Sequence, residues 1–274
     1  MMKKCLFPVA GYGTRFLPVT KAQPKEMLPV LTKPLIQYGV EEAAEAGLKD
    51  IVFVTGRNKR AIEDHFDITY ELEDQIRGTS REERLECIRG LINECTYTYT
   101  RQIHMRGLGD AILTAHTIIG QEPFGVILAD DLCVEDKGIM SQMLKVYEQY
   151  KCSVVAVEEV PREDVSKYGI ISGRKLDGRH TRVETMVEKP DPDQAPSNLA
   201  IIGRYILTPD IFDILRNTHP GAGGEVQITD ALQTQAQQGN VIAYRFSGQR
   251  FDCGNIDGFV AATNFFYERM RRGE

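Results

Sequence analysis

The sequence lacks the cysteine pairs and the long hydrophobic runs that mark two large classes of protein. Its six cysteines are scattered, and none belongs to a C-x-x-C pair. This spacing argues against a disulfide framework and a zinc site, and it fits a protein of the reducing cytoplasm. The first hydrophobic run, Cys5 to Val9, ends before Gly11 and is too short to span a membrane, and no small-residue cleavage site follows it. We therefore expect no targeting signal and no membrane partner.

The sequence also has no excess of basic residues. It contains 33 Lys and Arg against 39 Asp and Glu, a net charge of −6. A nucleic-acid partner is not expected, because it would require a basic face, so any phosphate site must be built locally. The five histidines match no metal template and pair with no suitable Ser or Cys nucleophile. We therefore expect neither a histidine metal site nor covalent catalysis.

A glycine-containing run, Ala10 to Phe16, follows the first predicted buried strand. Its two glycines allow the backbone to approach a polyanion closely, and Arg15 and Lys25 add positive charge. No Gly-Lys-Ser/Thr closes the run, and Phe16 occupies the place of the third glycine of a dinucleotide fingerprint. The run therefore predicts a phosphate site that is neither a Walker loop nor a dinucleotide-binding loop.

Short β-rich runs alternate with stretches of helical spacing in the first half of the chain. After the first strand, the predicted strands are Ile51–Thr55, Phe124–Ala129 and Ser153–Val157. One predicted helix closes at Gly47, and another covers Ala111–Ile118 after Gly107 and Gly109. This alternation predicts a parallel sheet with helices on both faces.

The pattern changes in the second half. Between Tyr168 and Tyr205, short strands separated by turns predict a mixed or antiparallel portion beside the parallel sheet. Helical spacing returns at Val226–Gln237 and Phe259–Met270. The charged segment Thr69–Asn93 is interpreted as a solvated helical insertion, with an oligomer contact as the alternative. No linker divides the chain, and its length suits one large domain.

Two carboxylates stand where a metal ion could bind. An apolar strand ends in Ala129-Asp130-Asp131, which places Asp130 at the carboxyl edge of the sheet, where open α/β folds bind ligands. Mg²⁺ suits such a carboxylate, because it uses few protein ligands and otherwise takes phosphate oxygens and water. The alternative is that Asp130 caps the next turn. Asp252, which precedes Cys253-Gly254, is a second candidate or equally a turn residue.

Three further side chains are weaker candidates. Glu188 and Lys189 form either a solvated ion pair or a ligand site. Pro190 predicts an extended backbone at Lys189, in which the two side chains point to opposite faces unless the strand end twists or bulges. Gln102, with Gly107–Gly109 just beyond it, offers amide donors and a close backbone approach to a planar base.

Taken together, these motifs resemble the bacterial UTP–glucose-1-phosphate uridylyltransferases of the sugar nucleotidyltransferase superfamily. The resemblance extends nearly from end to end. Its segments are Gly11–Pro18, Pro24–Pro29, Lys33–Tyr38, Glu63–Asp67, Gly107–Gly109, Val187–Pro190, Ala195–Ile201, Gly203–Tyr205, Gly221–Ala231 and Asp252–Asn255.

The resemblance implies an α/β fold of the nucleotidyltransferase type: a Rossmann-like, GT-A-like arrangement of three layers with a mixed sheet. An antiparallel sugar-binding portion and a helical insertion belong to it. A single domain over 1–274 is implied, with a mainly nucleotide-binding part at 1–150, a mainly sugar-phosphate-binding part at 151–255 and a C-terminal helix at 256–274. A homodimer or homotetramer is also implied, with contacts expected at the insertion and the C-terminal helix.

On the nucleotide side, the resemblance implies that three residues line the nucleotide: Ala10, Gly11 and Gly13. Arg15 and Lys25 would contact the triphosphate. Glu26 and Gln102 would recognise uracil, and Gly107 would contact the base through its backbone.

On the sugar side, the resemblance implies that Glu188 accepts hydrogen bonds from glucose hydroxyls and that Lys189 binds the sugar phosphate. Two glycines would let the backbone approach the hexose: Gly169 and Gly203. Asp130 would hold Mg²⁺, with Asp252 as the second carboxylate.

The implied reaction joins UTP and glucose 1-phosphate to give UDP-glucose and pyrophosphate. A sugar-phosphate oxygen attacks the α-phosphorus in line, and because it is already ionised it needs no general base. Positioning and electrostatics must then supply most of the catalysis. The groups expected to do this are Arg15, Lys25, Asp130 and Lys189.

The sequence departs from the family pattern at a few positions. The family often has His-Ala after Gly-Leu-Gly, where this chain has Asp110-Ala111, which adds negative charge near the expected base pocket. Tyr12, Gln23 and the pair Asp130-Asp131 are also variable positions.

Three alternatives remain at this stage. One is a non-catalytic nucleotide-sugar-binding regulator on the same fold, although such proteins usually lose the metal carboxylate or the phosphate-binding lysine. Another is a related enzyme for a different nucleotide or hexose 1-phosphate. A Rossmann oxidoreductase is remote, because Thr55-Gly56-Arg57 stands where an acidic residue would be required.

Overall fold

The computed structural model describes residues 2–221 and 224–273 and is built around a nine-stranded sheet. In chain order the strands are β1 (Lys4–Pro8), β2 (Pro29–Val30), β3 (Lys33–Pro34), β4 (Asp50–Thr55), β5 (Thr96–Arg101), β6 (Phe124–Ile127), β7 (Asp131–Val134), β8 (Ser153–Glu159), β9 (Gly169–Lys175), β10 (His180–Glu188), β11 (Leu199–Leu207), β12 (Val241–Arg245) and β13 (Gln249–Asp252). The helices are α1 (Leu35–Glu45), α2 (Arg60–His65), α3 (Tyr70–Ile76), α4 (Glu86–Glu94), α5 (Leu108–Thr114), α6 (His116–Ile119), α7 (Ile139–Tyr150), α8 (Ile211–Asn217), α9 (Ile228–Gln237) and α10 (Ile256–Arg272).

The main sheet is mixed, as expected. Its order is β5-β4-β1-β6-β11-β8-β12-β10-β9, and the first four strands run parallel. β11 runs antiparallel to both β6 and β8, and β10 runs antiparallel to β12 and β9. β9 also pairs with the start of β11, where Ile170 lies opposite Ala200. The antiparallel portion therefore lies beside the parallel strands, as expected, and is hydrogen-bonded to them in one continuous sheet.

Helices cover both faces of the sheet and give the expected three layers. Successive residues of β1 point to opposite faces, so that Phe7 and Leu6 belong to different hydrophobic clusters. The Phe7 cluster includes Ile36 of α1 and Met143 of α7, and the Leu6 cluster includes Phe212 of α8 and further residues of α5 and α9. The chain thus closes two cores around one sheet.

One predicted helix differs from its observed form. The segment expected to be a single helix over Ala111–Ile118 is two short helices, α5 and α6, which meet at Ala115. Gly109 lies inside α5 and does not precede it. A Cβ on Gly109 would lie 2.8 Å from the carbonyl oxygen of Val226, so this glycine allows the helix to pack closely against the neighbouring segment.

The charged segment Thr69–Asn93 is helical, with α3 and α4 joined by the 3₁₀ turn Glu82–Leu85. Arg89 holds it together by ion pairs with three glutamates: Glu73, Glu82 and Glu86. An oligomer contact at this segment stays a prediction. Among the described residues, no helix is both long and apolar enough to cross a membrane.

A buried ion pair links strand β11 to helices α1 and α7. Arg204 of β11 is 1% exposed, and its Nη2 lies 2.8 Å from Oε2 of Glu42 in α1. Oε1 of the same glutamate accepts a hydrogen bond of 2.9 Å from the backbone N–H of Met140 in α7. Both side chains are largely withdrawn from water, with exposures of 2% for Arg204 and 9% for Glu42, so each charge depends mainly on the other.

We expect Glu42→Gln to lower the free energy of unfolding by about 3 kcal/mol, because it leaves a buried guanidinium without its counter-charge. Urea denaturation followed by circular dichroism measures the change. Glu45→Gln, an exposed position on the same helix, is the matched control and should change the value by less than about 0.5 kcal/mol. Equal effects of the two substitutions would contradict the role given to the pair.

Candidate active site

Two pockets lie side by side at the edge of the sheet where β6 ends, and each has a volume of about 280 Å³. The glycine-loop pocket is lined by residues that include Ala10, Gly11, Lys25, Glu26, Gln102, Gly107 and Asp130. The Lys189 pocket is lined by residues that include Arg15, Asp130, Gly169, Glu188, Lys189, Gly203 and Asp252. Asp130 belongs to both linings, so it stands where the two pockets meet. A larger cavity of about 610 Å³ lies between α1 and α10, away from these residues.

Asp130 is paired with Lys25 at this junction. Lys25 Nζ donates to Asp130 Oδ2 over 2.5 Å, and both side chains are about 25% exposed. Burial alone would raise the pKa of Asp130, but the ammonium of Lys25 outweighs it and holds that pKa below its usual value. Asp130 is therefore an anion at neutral pH and has a lysine partner, which a simple turn cap would not require. Its role as a metal ligand stays a prediction.

Gly13 supports this lysine and lines neither pocket. Its φ is +67°, and a Cβ there would lie 3.0 Å from Cβ of Lys25. The left-handed conformation and the close approach both favour glycine. Gly13 thus allows the close approach of Lys25, whereas Ala10 and Gly11 line the glycine-loop pocket. That these three residues contact a nucleotide stays a prediction.

Asp252 converges on the same place as Asp130. A Cβ on Gly254 would lie 3.0 Å from Oδ2 of Asp130 and 3.0 Å from Oδ1 of Asp252. It would lie 3.6 Å from Nη1 of Arg15, which donates a hydrogen bond of 3.3 Å to the carbonyl oxygen of Gly254. Gly254 therefore leaves open a space bordered by two carboxylates and one guanidinium.

The donors around this space fit a hard cation that takes few protein ligands. Within the described ranges, no group of three or more His, Cys, Asp or Glu side chains could hold a metal ion. Two carboxylates are nevertheless enough for Mg²⁺ when phosphate oxygens and water complete its shell. Asp130 and Asp252 are thus the residues that would hold such an ion.

Behind Asp252 lies a frame of charged and polar side chains that the sequence did not indicate: Arg250, Asp131, Glu158 and Tyr168. Arg250 is its centre. Its guanidinium lies 2.6 Å from Asp131, 2.5 Å from Glu158 and 3.8 Å from Asp252. The hydroxyl of Tyr168 donates to Oδ2 of Asp252 over 3.1 Å. β7 and β13 bring these groups together, because their antiparallel register places Asp131 opposite Asp252. Strand pairing over such a sequence separation leaves no local signal in the chain.

Gly203 is required by this frame. Its backbone N–H donates to Oδ2 of Asp131 over 2.6 Å, and a Cβ on Gly203 would lie 2.6 Å from that same oxygen and 2.7 Å from Cβ of Leu128. Gly203 lines the Lys189 pocket and permits the close approach of Asp131. Its expected closeness to a bound hexose stays a prediction.

Glu188 and Lys189 face the same pocket, and the expected extended backbone at Lys189 is wrong. Strand β10 ends at Glu188, the N–H of Lys189 bonds to the carbonyl oxygen of Tyr168, and Lys189 turns into the left-handed region with φ +46°. This turn brings Lys189 Nζ within 3.3 Å of Glu188 Oε1. Thr229 fixes the other oxygen of Glu188 by donating to Oε2 over 2.7 Å. Non-glycine residues in this region are uncommon and cluster at functional sites.

Gly169 leaves room for the Glu188 side chain, because it has no Cβ. A Cβ there would lie 3.0 Å from Oγ1 of Thr229 and 3.2 Å from Oε2 of Glu188. The glycine was expected to let the backbone approach a hexose, and it does border the Lys189 pocket.

At the far end of the glycine-loop pocket, Glu26 and Gln102 lie close to Gly107. Glu26 is 1% exposed, and Lys59 donates to its Oε2 over 2.7 Å. Burial raises the pKa of Glu26 although Lys59 and Lys25 oppose the shift. Glu26 Oε1 has no partner within the described part of the chain. Lys59 was not identified from the sequence, since a lysine two residues after a Gly-Arg pair reads as an ordinary surface residue.

We expect Gly203→Ala to lower the free energy of unfolding by about 1–3 kcal/mol, because the added methyl group would overlap a carboxylate and a side-chain carbon. Gly178→Ala is the matched control, since a Cβ on Gly178 meets nothing within 4 Å. Urea unfolding of both variants measures the difference. If alanine at 203 were as well tolerated as alanine at 178, the close packing around Asp131 would be refuted.

The chain is similar throughout its length to known nucleotidyltransferases. A family model described as Nucleotidyl transferase matches residues 8–269. A Pseudomonas aeruginosa protein named UTP–glucose-1-phosphate uridylyltransferase is 64% identical over 272 residues, which cover 98% of each chain. A Staphylococcus epidermidis protein of the same name is 49% identical, over 96% of this chain and 91% of that protein.

Solved structures agree with these relatives. A crystal structure of apo UDP-glucose pyrophosphorylase superposes with a TM-score of 0.96 at 57% identity, and it covers 98% of this chain and 100% of that one. A UDP-glucose pyrophosphorylase complexed with UDP-glucose superposes with a TM-score of 0.92 at 55% identity, with the same coverage. Residues 222 and 223, part of the Gly221–Ala231 segment of the resemblance, lie outside the described residues. Nearly complete coverage at such identity establishes that this chain belongs to the UTP–glucose-1-phosphate uridylyltransferase family of nucleotidyltransferases.

Proposed function

We propose that this enzyme makes UDP-glucose and pyrophosphate from UTP and glucose 1-phosphate. The observation that carries the proposal is the position of Asp130 in both pockets, with Lys25 bonded to it. A nucleotide in the glycine-loop pocket and a sugar phosphate in the Lys189 pocket would meet at this carboxylate. Both substrates are polyanions, so the residues at the junction must overcome their repulsion.

The nucleotide would bind with its base toward Gln102 and Gly107 and its phosphates toward Lys25. Ala10 and Gly11 line the intervening wall, where the absence of large side chains leaves room for the nucleotide. Gly11 is open on the side where a Cβ would project, with nothing within 4 Å. The phosphates would therefore end near Asp130.

Glucose 1-phosphate would bind with its hydroxyls on Glu188 and its phosphate on Lys189. Thr229 holds Oε2 of Glu188, and Oε1, which lies 3.3 Å from Lys189 Nζ, would accept from a hydroxyl when Lys189 binds the phosphate. The Lys189 side chain is 53% exposed and free to reach a phosphate, since its only described ion pair is with the neighbouring Glu188. Arg15, in the same pocket, would contribute a second positive charge.

In the reaction, a phosphate oxygen of glucose 1-phosphate forms a bond to the α-phosphorus of UTP, and the bond from that phosphorus to the pyrophosphate oxygen breaks. The attacking oxygen is ionised, so no residue has to remove a proton. Lys189 and Arg15 would hold the nucleophile in line, and Lys25 would orient the nucleotide phosphates and Asp130.

We infer Mg²⁺ as the cofactor, held by Asp130 and Asp252. When bound, this ion would neutralise phosphate charge on the nucleotide and the leaving group. Arg250 and Tyr168 would keep Asp252 directed to the site. The carboxylate at Asp130 is ionised well below neutral pH, as a metal ligand must be.

A homodimer or homotetramer stays a prediction, as does a cytoplasmic location. The exposed apolar side chains on α10 support self-association through the C-terminal helix: Ile256, Val260, Tyr267 and Met270. Such a row of exposed apolar side chains is a common feature of an interaction surface.

We expect Asp130→Asn to reduce turnover of UTP and glucose 1-phosphate at least about a hundredfold at saturating Mg²⁺. Two unit charges about 4 Å apart interact by about 4 kcal/mol at an effective dielectric of about 20, and each ~1.4 kcal/mol is tenfold in rate. Pyrophosphate release measures the rate. Asp136→Asn, an exposed aspartate near the same strands, is the control and should keep full activity. A wild-type chain that binds UTP without turnover would favour the non-catalytic regulator instead.

Lys189→Ala should raise the Michaelis constant for glucose 1-phosphate about ten- to a hundredfold and that for UTP by less than about threefold, because the lysine serves one substrate. Initial rates with each substrate varied in turn give both constants. Lys151→Ala is a matched control, since Lys151 also has a left-handed backbone, with φ +52°, but lies at the end of α7. An equal rise in both constants would refute the assignment.

A further inference from the structure

Asp110, the main departure from the family pattern, contacts the amide of Gln102. Gln102 lies just after β5, and Asp110 lies in the first turn of α5. Gln102 Nε2 donates to Asp110 Oδ2 over 2.7 Å and to the carbonyl oxygen of Gly107 over 3.3 Å. Both hydrogens of the Gln102 amide nitrogen are therefore used within the protein.

These two partners fix which way the amide faces. A carboxylate and a backbone carbonyl are acceptors only, so the nitrogen of Gln102 must face them, and its oxygen must face away. No residue in the described ranges donates a hydrogen bond to that oxygen. Gln102 is 5% exposed and lines the glycine-loop pocket with Gly107. Its carbonyl oxygen is thus the part of the amide left to contact a base.

Arg106 keeps Asp110 in this role. Arg106 Nη2 lies 2.9 Å from Asp110 Oδ1, so each carboxylate oxygen has its own donor. The Asp110 side chain is 12% exposed and that of Arg106 is 61% exposed, so the arginine neutralises the charge from the solvent side. The negative charge that the sequence placed near the base pocket is therefore already paired on the protein.

An uncharged residue at 110 would not impose the same orientation. An imidazole or amide side chain can donate as well as accept, so it could bond to the oxygen of Gln102 and leave the nitrogen facing the base. Aspartate permits only one of the two orientations. The residue at 110 thus determines how firmly the Gln102 amide is held in the orientation that the carbonyl oxygen of Gly107 also favours.

We propose that Asp110 is a specificity-determining positioning residue, which locks the Gln102 amide so that the pocket presents a hydrogen-bond acceptor to a pyrimidine ring N–H. Uracil carries a hydrogen at N3 and satisfies this acceptor. Cytosine has a lone pair at N3, which would face the Gln102 oxygen without a hydrogen between them. The proposal rests on the proposed function for its choice of nucleotide, and it goes beyond that function by assigning the rejection of cytidine nucleotides to Asp110.

The test compares UTP with CTP in the wild type, in Asp110→Asn and in Asp110→Ala. Equilibrium dissociation constants from calorimetry, without glucose 1-phosphate, measure base selection apart from turnover. We expect the wild type to bind UTP at least about tenfold more tightly than CTP, and we expect either variant to reduce this ratio about tenfold, the factor for about 1.4 kcal/mol of lost discrimination. Using two variants keeps the test valid if one of them folds poorly, which circular dichroism detects.

Asp213→Asn is the matched control, because Asp213 also lies in the first turn of a helix and pairs with an arginine, Arg216. It should leave the UTP to CTP ratio unchanged. The Michaelis constant for glucose 1-phosphate should stay within about twofold in the Asp110 variants, a split that general loss of structure would not produce.

Equal wild-type affinity for UTP and CTP, or an unchanged ratio in both folded variants, would overturn the proposal. Failure of the proposed function has a different signature: the wild type would select UTP, and the variants would lose that selection, but no UDP-glucose would form with glucose 1-phosphate.

Discussion

The ion pair between Lys25 and Asp130 is the interaction on which the arrangement of the site depends. It stands where the two pockets meet, and each partner is anchored by a different part of the chain. Lys25 packs against Gly13 in the glycine-containing loop, whereas Asp130 follows the central strand β6. The pair therefore joins the loop to the sheet and sets the distance between the places where two anionic substrates must meet.

A second set of charges keeps the other half of the junction in place. Arg250 is shared by three carboxylates and stacks over the ring of Tyr168 at 5.1 Å, while Tyr168 also donates to Asp252. Such a frame adds little stability by itself, because burying charges is costly. Its value lies in fixing the direction of Asp252 before any ligand arrives, as electrostatic catalysis requires.

Sequence patterns predicted those parts of the site that depend on residues adjacent in the chain. The apolar run before Asp130 predicted a strand and placed Asp130 just after it. Both inferences need only residues that are adjacent in the sequence. Arg250 was not predicted, because its partners lie in distant segments of the sequence that the pairing of β7 with β13 brings together. Lys189 was given the wrong backbone because a hydrogen bond to Tyr168 outweighs the local preference set by Pro190. The sequence thus indicated which residues matter better than how they are held.

The neighbouring carboxylates Asp130 and Asp131 illustrate how environment separates roles that sequence cannot. Burial disfavours the charged form of both, and cations oppose it in both cases. For Asp130 the single short contact with Lys25 prevails and lowers its pKa, whereas for Asp131 burial prevails over Arg250 and raises its pKa. Asp130 is partly open to the pockets and can offer its charge to a ligand, while Asp131 uses both oxygens inside the protein, on Arg250 and on the N–H of Gly203. Asp130 is thereby left to contact a ligand, whereas Asp131 stabilises the wall of the pocket beside it.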